Sequence, residues 1–370
     1  MKGKAVLYLQ DGTFAEGSYL GLKGESTGEV VFNTAMTGYE EIISDPSYCG
    51  QIVLMCYPQI GNYGITMDDA QGYGAWARGL VIKEYSKAYS NWQAKMSLDE
   101  YLCAQGITAI EGIDTRYIVR KIRKRGAMKG IISAEDFSPS SLKKKLDMIP
   151  SLEGRDLVAE VNSSENSAFK NYKPESGDLK VAVIDYGVKR SIIKNLKTCG
   201  LEPVLLPANS SLEDVLDIDP SGVVLSNGPG DPAAVSYAVE FARELIEYNK
   251  NKRLPVLGIC LGSQIIGLAA GARTYKLKFG HHGGNHPVKN LKTGRIEITV
   301  QNHGFALDPD TMPEEFEISH INLNDNTVEG LRHRDLPVVS YQNHPEAGPG
   351  PGDSQYIFKE FKELINACKN

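Results

Sequence analysis

Apolar positions fall into two rhythms along the chain. In the first half, short runs such as KAVLYL (4–9), GEVVFNT (28–34) and QIVLMCYP (51–58) read as strands, with a turn at Asp11-Gly12 after the first. Helical spacing follows. SLDEYLCAQG opens on Ser97 as an N-cap and stops at Gly106, and DTRYIVRKIRKRG runs from a capping Asp114 to Gly126. Residues 163–177, SSENSAFKNYKPESG, hold no sustained apolar period and contain Pro174. They predict a linker between a mixed α/β domain over 1–162 and a second domain over 178–370.

Past the linker, strand and helix alternate. LKVAVIDYG (179–187) reads as a strand, VKRSIIKNLKTCG (188–200) as an amphipathic helix, and EPVLLP (202–207) as a strand. GVVLSNGPGDP (222–232) is a strand running into a loop, a helical segment extends from Ala234 to about Asn251, and another short apolar strand follows. The alternation implies βαβ units, so the predicted fold class is α/β: a mostly parallel sheet with helices on both faces. The chain closes on a helix whose apolar face is Ile357, Phe358, Phe361, Leu364 and Ile365. Ligands in such sheets sit at the carboxyl ends of the strands. SNGPGD (226–231) and GIC (258–260) both lie there.

The stretch PVLGICLGSQIIGLAAGA (255–272) joins a buried strand to a small-residue helix, with Cys260 at the corner and glycines on both sides. Glycines permit the tight strand-to-helix turn that lifts a nucleophile out of the backbone, and a helix start favours the thiolate form of a cysteine. A buried structural cysteine has the same local pattern, so this stretch leaves both readings open. A thiolate nucleophile needs a base, and the base needs a group to hold its tautomer. YQNHPEAG offers both, since Pro345 keeps the backbone extended between His344 and Glu346 and places their side chains near one side. Gly228 and Gly230 of SNGPGD would let backbone N–H groups face an oxyanion, although a plain turn explains the same residues.

Composition narrows the class. The 370 residues are 41% hydrophobic and 23% charged with a net charge of −6, an ordinary globular balance that argues against nonspecific attraction to nucleic acid. The basic runs RKIRKRG and KKK (143–145) read as solvated helix faces. Cys49, Cys56, Cys103, Cys199, Cys260 and Cys368 show no Cys-x-x-Cys spacing and no disulfide density, which fits a reducing cytoplasm. No run approaches the length of a signal peptide or a membrane span. Neither Gly-x-Gly-x-x-Gly nor a phosphate-binding Gly-x-x-x-x-Gly-Lys-Ser/Thr loop occurs, so no nucleotide site is expected. His281, His282 and His286 in FGHHGGNHPV invite a metal, but no cysteine or carboxylate accompanies them, and a hydrogen-bonded glycine-rich turn without a metal is expected.

Taken in order, SNGPGD, GICLGSQ, QNHGF (301–305) and NHPEA (343–347) resemble the class I, triad-type glutamine amidotransferase domain. FGHHGGNHPV and the N-terminal FNTAMTGYEEIISDPSYCGQIV (32–53) are similar to the glutamine-hydrolysing small subunit of carbamoyl-phosphate synthetase, over essentially the whole chain. The resemblance implies that Cys260 is the nucleophile that forms a γ-glutamyl thioester, His344 its base and then the acid for ammonia, and Glu346 the group that orients His344. It implies an oxyanion and substrate site at Gly228, Gly230 and the N–H of Leu261, and glutamine binding by Gln264, Asn302, Gly304 and Phe305, with Ser47 reaching in. Ser263 departs from the family, where histidine or methionine is common. No cofactor is implied in this chain: ATP and magnesium would belong to a separate large synthetase subunit. That subunit would form a heterodimer or a higher oligomer of heterodimers and receive ammonia through a tunnel, for arginine or pyrimidine synthesis. The alternatives are an amidotransferase subunit of another synthase or a non-catalytic regulatory homologue.

Overall fold

The computed structural model describes residues 3–161 and 179–369. The expected linker, 163–177, lies outside them. The chain divides into two compact units, the first made of residues up to Leu152 together with Lys278–Gly283, the second of Glu153–Leu277 and everything from Gly284 onward.

In the first unit the strands are β1 (Lys4–Leu9), β2 (Phe14–Gly21), β3 (Glu25–Asn33), β4 (Gln51–Met55), β5 (Gln59–Ile60), β6 (Gly79–Val81), β7 (Glu84–Tyr85), β8 (Thr108–Glu111) and β9 (Met128–Ser133). Seven of them close a barrel in the order β1-β2-β8-β6-β4-β3-β9, and β5 with β7 forms a small separate pair. Period-two alternation explains how apolar runs with no polar face can build it. Ala5, Leu7 and Leu9 join Val30, Phe32, Ile52, Leu54, Val81, Ile110 and Ile132 in one interior cluster. Val6 and Tyr8, pointing the other way, pack with Ile131 beneath Leu142 and Leu146 of a covering helix.

Four helices surround this barrel: α1 (Tyr39–Ser44), α2 (Leu98–Ala104), α3 (Thr115–Arg125) and α4 (Pro139–Asp147). The expected caps are present. Ser97 and Glu100 close a capping box at the start of α2, and the Asp114 side chain accepts from the Tyr117 N–H at the start of α3, which stops at Gly126.

The second unit contains α5 (Val158–Val161), β10 (Lys180–Asp185), α6 (Arg190–Thr198), β11 (Glu202–Pro207), α7 (Leu212–Asp217), β12 (Gly222–Leu225) and α8 (Ser236–Asn249). It continues through β13 (Val256–Ile259), α9 (Leu261–Ala270), β14 (Thr274–Asn290), β15 (Ile296–Leu307), β16 (Phe316–Asn322), β17 (Val328–His333), β18 (Val338–Tyr341) and α10 (Tyr356–Lys369). One sheet takes the order β11-β10-β12-β13-β18-β17-β16-β14-β15. Its first five strands are parallel, as the alternating pattern predicts, and β17 and β16 are antiparallel to their neighbours. One face packs Ala182, Ile184, Val223, Leu225 and Val256 against α8 and α9. The other packs Val181, Val183, Val224, Leu257 and Ile259 against α6 and α10. Helices therefore cover both faces.

FGHHGGNHPV is not the expected turn. It lies inside β14, a strand of 17 residues. Gly280 and Gly283, at φ 72° and 148°, bend that strand without reversing it. The backbone of this segment is also taken up within the first unit, where Ala127 N–H donates to the Lys278 carbonyl at 2.7 Å and Thr34 N–H to that of His282 at 3.2 Å. His281 and His282, both buried, thus belong to the first unit and His286 to the second. No helix of the described residues is long and apolar enough to cross a membrane.

Candidate active site

Cys260 stands between β13 and α9 with φ 53° and ψ −104°, a conformation that costs a non-glycine residue about 1–3 kcal/mol. The surroundings enforce it. Cys260 N–H donates to the Tyr341 carbonyl of the neighbouring strand at 2.8 Å, and Gly262 N–H to the Ser226 carbonyl at 3.0 Å. The flanking glycines are steric necessities, because a Cβ on Gly262 would lie 2.1 Å from the Leu225 carbonyl oxygen and one on Gly258 2.8 Å from that of Gly262. The thiol is buried, and its Sγ lies 3.6 Å from the Asn302 carbonyl oxygen and 3.7 Å from Nε2 of Gln342.

His344 follows β18, the strand beside β13, so parallel pairing brings it to the same end of the sheet as Cys260. Its Nδ1 is 2.7 Å from Glu346 Oε1, which fixes the ring. Its Nε2 is buried and closes no hydrogen bond in the resting site. Cys260 lies close enough to the ring to raise its pKa, after Glu346. A fourth residue completes the line. Lys189, entirely buried at the start of α6, places Nζ 2.9 Å from Glu346 Oε1 and donates to the Ala347 carbonyl at 2.7 Å. SNGPGD supports it from below, since Asn227 Oδ1 accepts from the Lys189 N–H at 3.1 Å and Asn227 Nδ2 donates to the Gly187 carbonyl at 3.0 Å.

This row of charges polarises the site. Burial is the largest influence on Glu346 and would push its pKa up, but Lys189 and then His344 outweigh it, and the net shift is down, from 4.5 to about 2. Burial would push His344 down, yet Glu346 and then Cys260 prevail and carry it from 6.5 to about 10. The depressed carboxylate contributes stability that is complete above 4.5 and lost as pH falls toward 2; the elevated imidazole contributes stability complete below 6.5 and lost as pH rises toward 10. Urea midpoints should therefore peak between these limits. The decline on the alkaline side should shrink in His344→Gln, and equal alkaline slopes in the two proteins would refute this assignment.

The structure places the other residues expected from the sequence as follows. Leu261 is the first residue of α9, with Gly228 against it: a Cβ on Gly228 would sit 2.7 Å from the Leu261 side chain and 2.3 Å from the Tyr186 carbonyl. Gly230, at φ 89°, ends the SNGPGD loop beside Leu157. Gln264 donates from Nε2 to the Phe305 carbonyl at 2.7 Å and to Gln342 Oε1 at 2.9 Å. Asn302, Gly304 and Phe305 lie along β15, and the Cα of Gly304 faces open space. Ser263 bonds Ser340 through their hydroxyls at 2.8 Å, a neutral, buried pair. Ser47 belongs to the first unit, in a single helical turn, Pro46–Tyr48, capped by Asp45.

Lys189 and Gln342 were not singled out by the sequence. For Lys189 a signal existed. A cation at the first turn of a helix opposes the macrodipole, so a lysine opening α6 directly after the apolar VAVIDYGV needs an anion to explain it.

Residues 7–132 match the family described as "Carbamoyl-phosphate synthase small chain, CPSase domain", and residues 182–364 match "Glutamine amidotransferase class-I". A carbamoyl phosphate synthase small chain from Chlorobaculum tepidum is 50% identical over 99% of this chain and 99% of its own length. The small chain from Aquifex aeolicus is 49% identical over 98% and 99%, and that from Thermotoga maritima 46% over the full length of both. With both family domains present in order and identity near one half over almost every residue, this chain belongs to the carbamoyl phosphate synthase small chain family.

Proposed function

We propose that the chain is the glutamine-hydrolysing subunit of a carbamoyl phosphate synthase and that Cys260, His344 and Glu346 perform the hydrolysis. The observation that supports it is the line Lys189–Glu346–His344 ending on the side of Cys260, inside a chain of this family. Because Glu346 and Cys260 hold His344 protonated at neutral pH, the thiol proton already rests on Nε2, and Sγ attacks the side-chain amide carbon of glutamine as the thiolate. The tetrahedral intermediate collapses as His344 returns the proton to the nitrogen, so ammonia leaves and a thioester remains. Water then attacks the thioester, again through His344, the electron pair of the breaking C–S bond returns to sulfur, and glutamate is released. Glu346 holds the imidazole in the tautomer with Nε2 open and stabilises it when charged. Gly228, Gly230 and the N–H of Leu261 form the oxyanion site, and Gln264, Asn302, Gly304 and Phe305 the glutamine site.

Ammonia in water near neutral pH is mostly protonated and no longer nucleophilic, so the reading includes enclosed transfer to a large chain. That chain carries ATP and magnesium, since the sequence here has no phosphate-binding loop. A cytoplasmic location fits the six free cysteines. The test is glutamate release by the purified chain, alone and with the cognate large chain, bicarbonate and ATP. A rate that rises on assembly, with carbamoyl phosphate appearing, is expected. Absence of hydrolysis in a verified complex would overturn the reading.

A further inference from the structure

Gln342 is wholly buried at the residue after β18, and nothing in the reaction as described above uses it. Its position is dictated twice. Parallel pairing sets Ile259 beside Tyr341, so the residues that follow, Cys260 and Gln342, leave adjacent strands side by side. Helix periodicity then places Gln264, four residues after Cys260 in α9, above the same point.

The orientation of the Gln342 amide is fixed by its neighbours. Gln264 Nε2, which also donates to the Phe305 carbonyl at 2.7 Å, donates to Gln342 Oε1 at 2.9 Å. With its oxygen occupied by a donor, Gln342 turns Nε2 toward Cys260 Sγ, 3.7 Å away. The sulfur has a second polar contact of opposite kind, the Asn302 carbonyl oxygen at 3.6 Å, which can accept only from the protonated thiol. Once the proton leaves, that carbonyl can no longer accept from the sulfur, and an amide N–H remains to donate to the sulfur anion. The titratable groups about the sulfur are His344, with Glu346 and Lys189 behind it, and Tyr341, whose phenol burial keeps neutral.

We propose that Gln342 is a catalytic residue of this chain, its side-chain N–H being the donor that holds Cys260 as the thiolate. The inference rests on the reading of Cys260 as nucleophile. When the thiol proton moves to His344 Nε2, the Gln342 hydrogen bond strengthens. It weakens as the C–S bond forms and the sulfur loses its charge, and it strengthens again when the thioester breaks and the electron pair returns to sulfur. Gln342 keeps its own proton throughout.

The test is the pH dependence of Cys260 alkylation by iodoacetamide in the full chain, followed at the Cys260 peptide by mass spectrometry, for the parent, Gln342→Leu and Gln342→Glu. Leucine removes the donor. Glutamate keeps an acceptor for Gln264 and sets a carboxylate against the sulfur, so it carries the test should the leucine variant fold poorly. The alkylation midpoint should rise by about one pH unit in the leucine variant, a tenfold loss of thiolate below the midpoint, and further in the glutamate variant. The acid limb of kcat/KM for glutamine should move by the same amount with KM little changed. Midpoints equal to the parent's, with only the amplitude of alkylation reduced, would overturn the proposal and leave Gln342 a packing residue. Alkylation requires no glutamine, so this outcome is separate from whether the chain hydrolyses it.

Discussion

Cys260→Ser removes glutamine hydrolysis, by a factor on the order of 10³ or more, while the assembled complex continues to make carbamoyl phosphate from added ammonia. Serine meets the same backbone conformation, its N–H donating to the Tyr341 carbonyl and the Gly262 N–H to that of Ser226, so the elbow is preserved. The hydroxyl is far less acidic than a thiol, and a base arranged for cysteine does not activate it. Parallel assays of glutamate release and of ammonia-dependent synthesis check this. Full glutaminase activity in the serine variant would remove Cys260 from the mechanism, whereas loss of both activities would point to a structural collapse.

Lys189→Met will destabilise the second unit by about 3–5 kcal/mol, the usual consequence of leaving one member of a buried ion pair without its partner. Methionine fills much of the volume, which makes the loss electrostatic. The Glu346 carboxylate would remain buried with only the His344 ring against it, and hydrolysis would fall with the stability. The double variant Lys189→Met/Glu346→Gln removes the stranded charge and should recover most of the stability, but not the activity. Denaturant titrations of the parent, both single variants and the double variant close this cycle. A double variant as unstable as Lys189→Met would show that the lysine stem, not its charge, is what the fold requires.

How much of this could be read from the sequence depends on how far each feature reaches along the chain. The corner at Cys260 is local: an apolar strand, two glycines and a helix of small residues are contiguous, and the glycines proved necessary at the distances expected of a tight turn. The caps at Ser97 and Asp114 are local in the same sense. Lys189 and Gln342 are different, because their partners are set by strand order, and no periodicity in one segment reveals which strand will lie beside it. The pairing of His344 with Glu346 was legible, but its backbone was not: in place of the expected extended segment, Ala347 N–H donates to the His344 carbonyl at 3.2 Å and closes a turn through Pro345 and Glu346. The conformation of FGHHGGNHPV was not legible either, since glycines that usually mark turns here bend a strand whose backbone partners, Thr34 and Ala127, lie in another part of the chain. For the same reason the inclusion of Lys278–Gly283 in the first unit left no mark in the apolar pattern.

The strand order also bears on how the protein is made. Cys260 follows β13 and His344 follows β18, and although these strands are neighbours in the sheet, everything from α9 through β17 is synthesised between them. A chain leaving the ribosome therefore presents its thiol well before it possesses the imidazole, the carboxylate or Gln342. Such a nascent chain can bury Cys260 beside a sheet of only four strands, β10 to β13, but it cannot release ammonia until β18 is threaded between β13 and β17. Hydrolysis is in this way withheld from every copy of the polypeptide that has not yet reached Glu346, without any inhibitor being required.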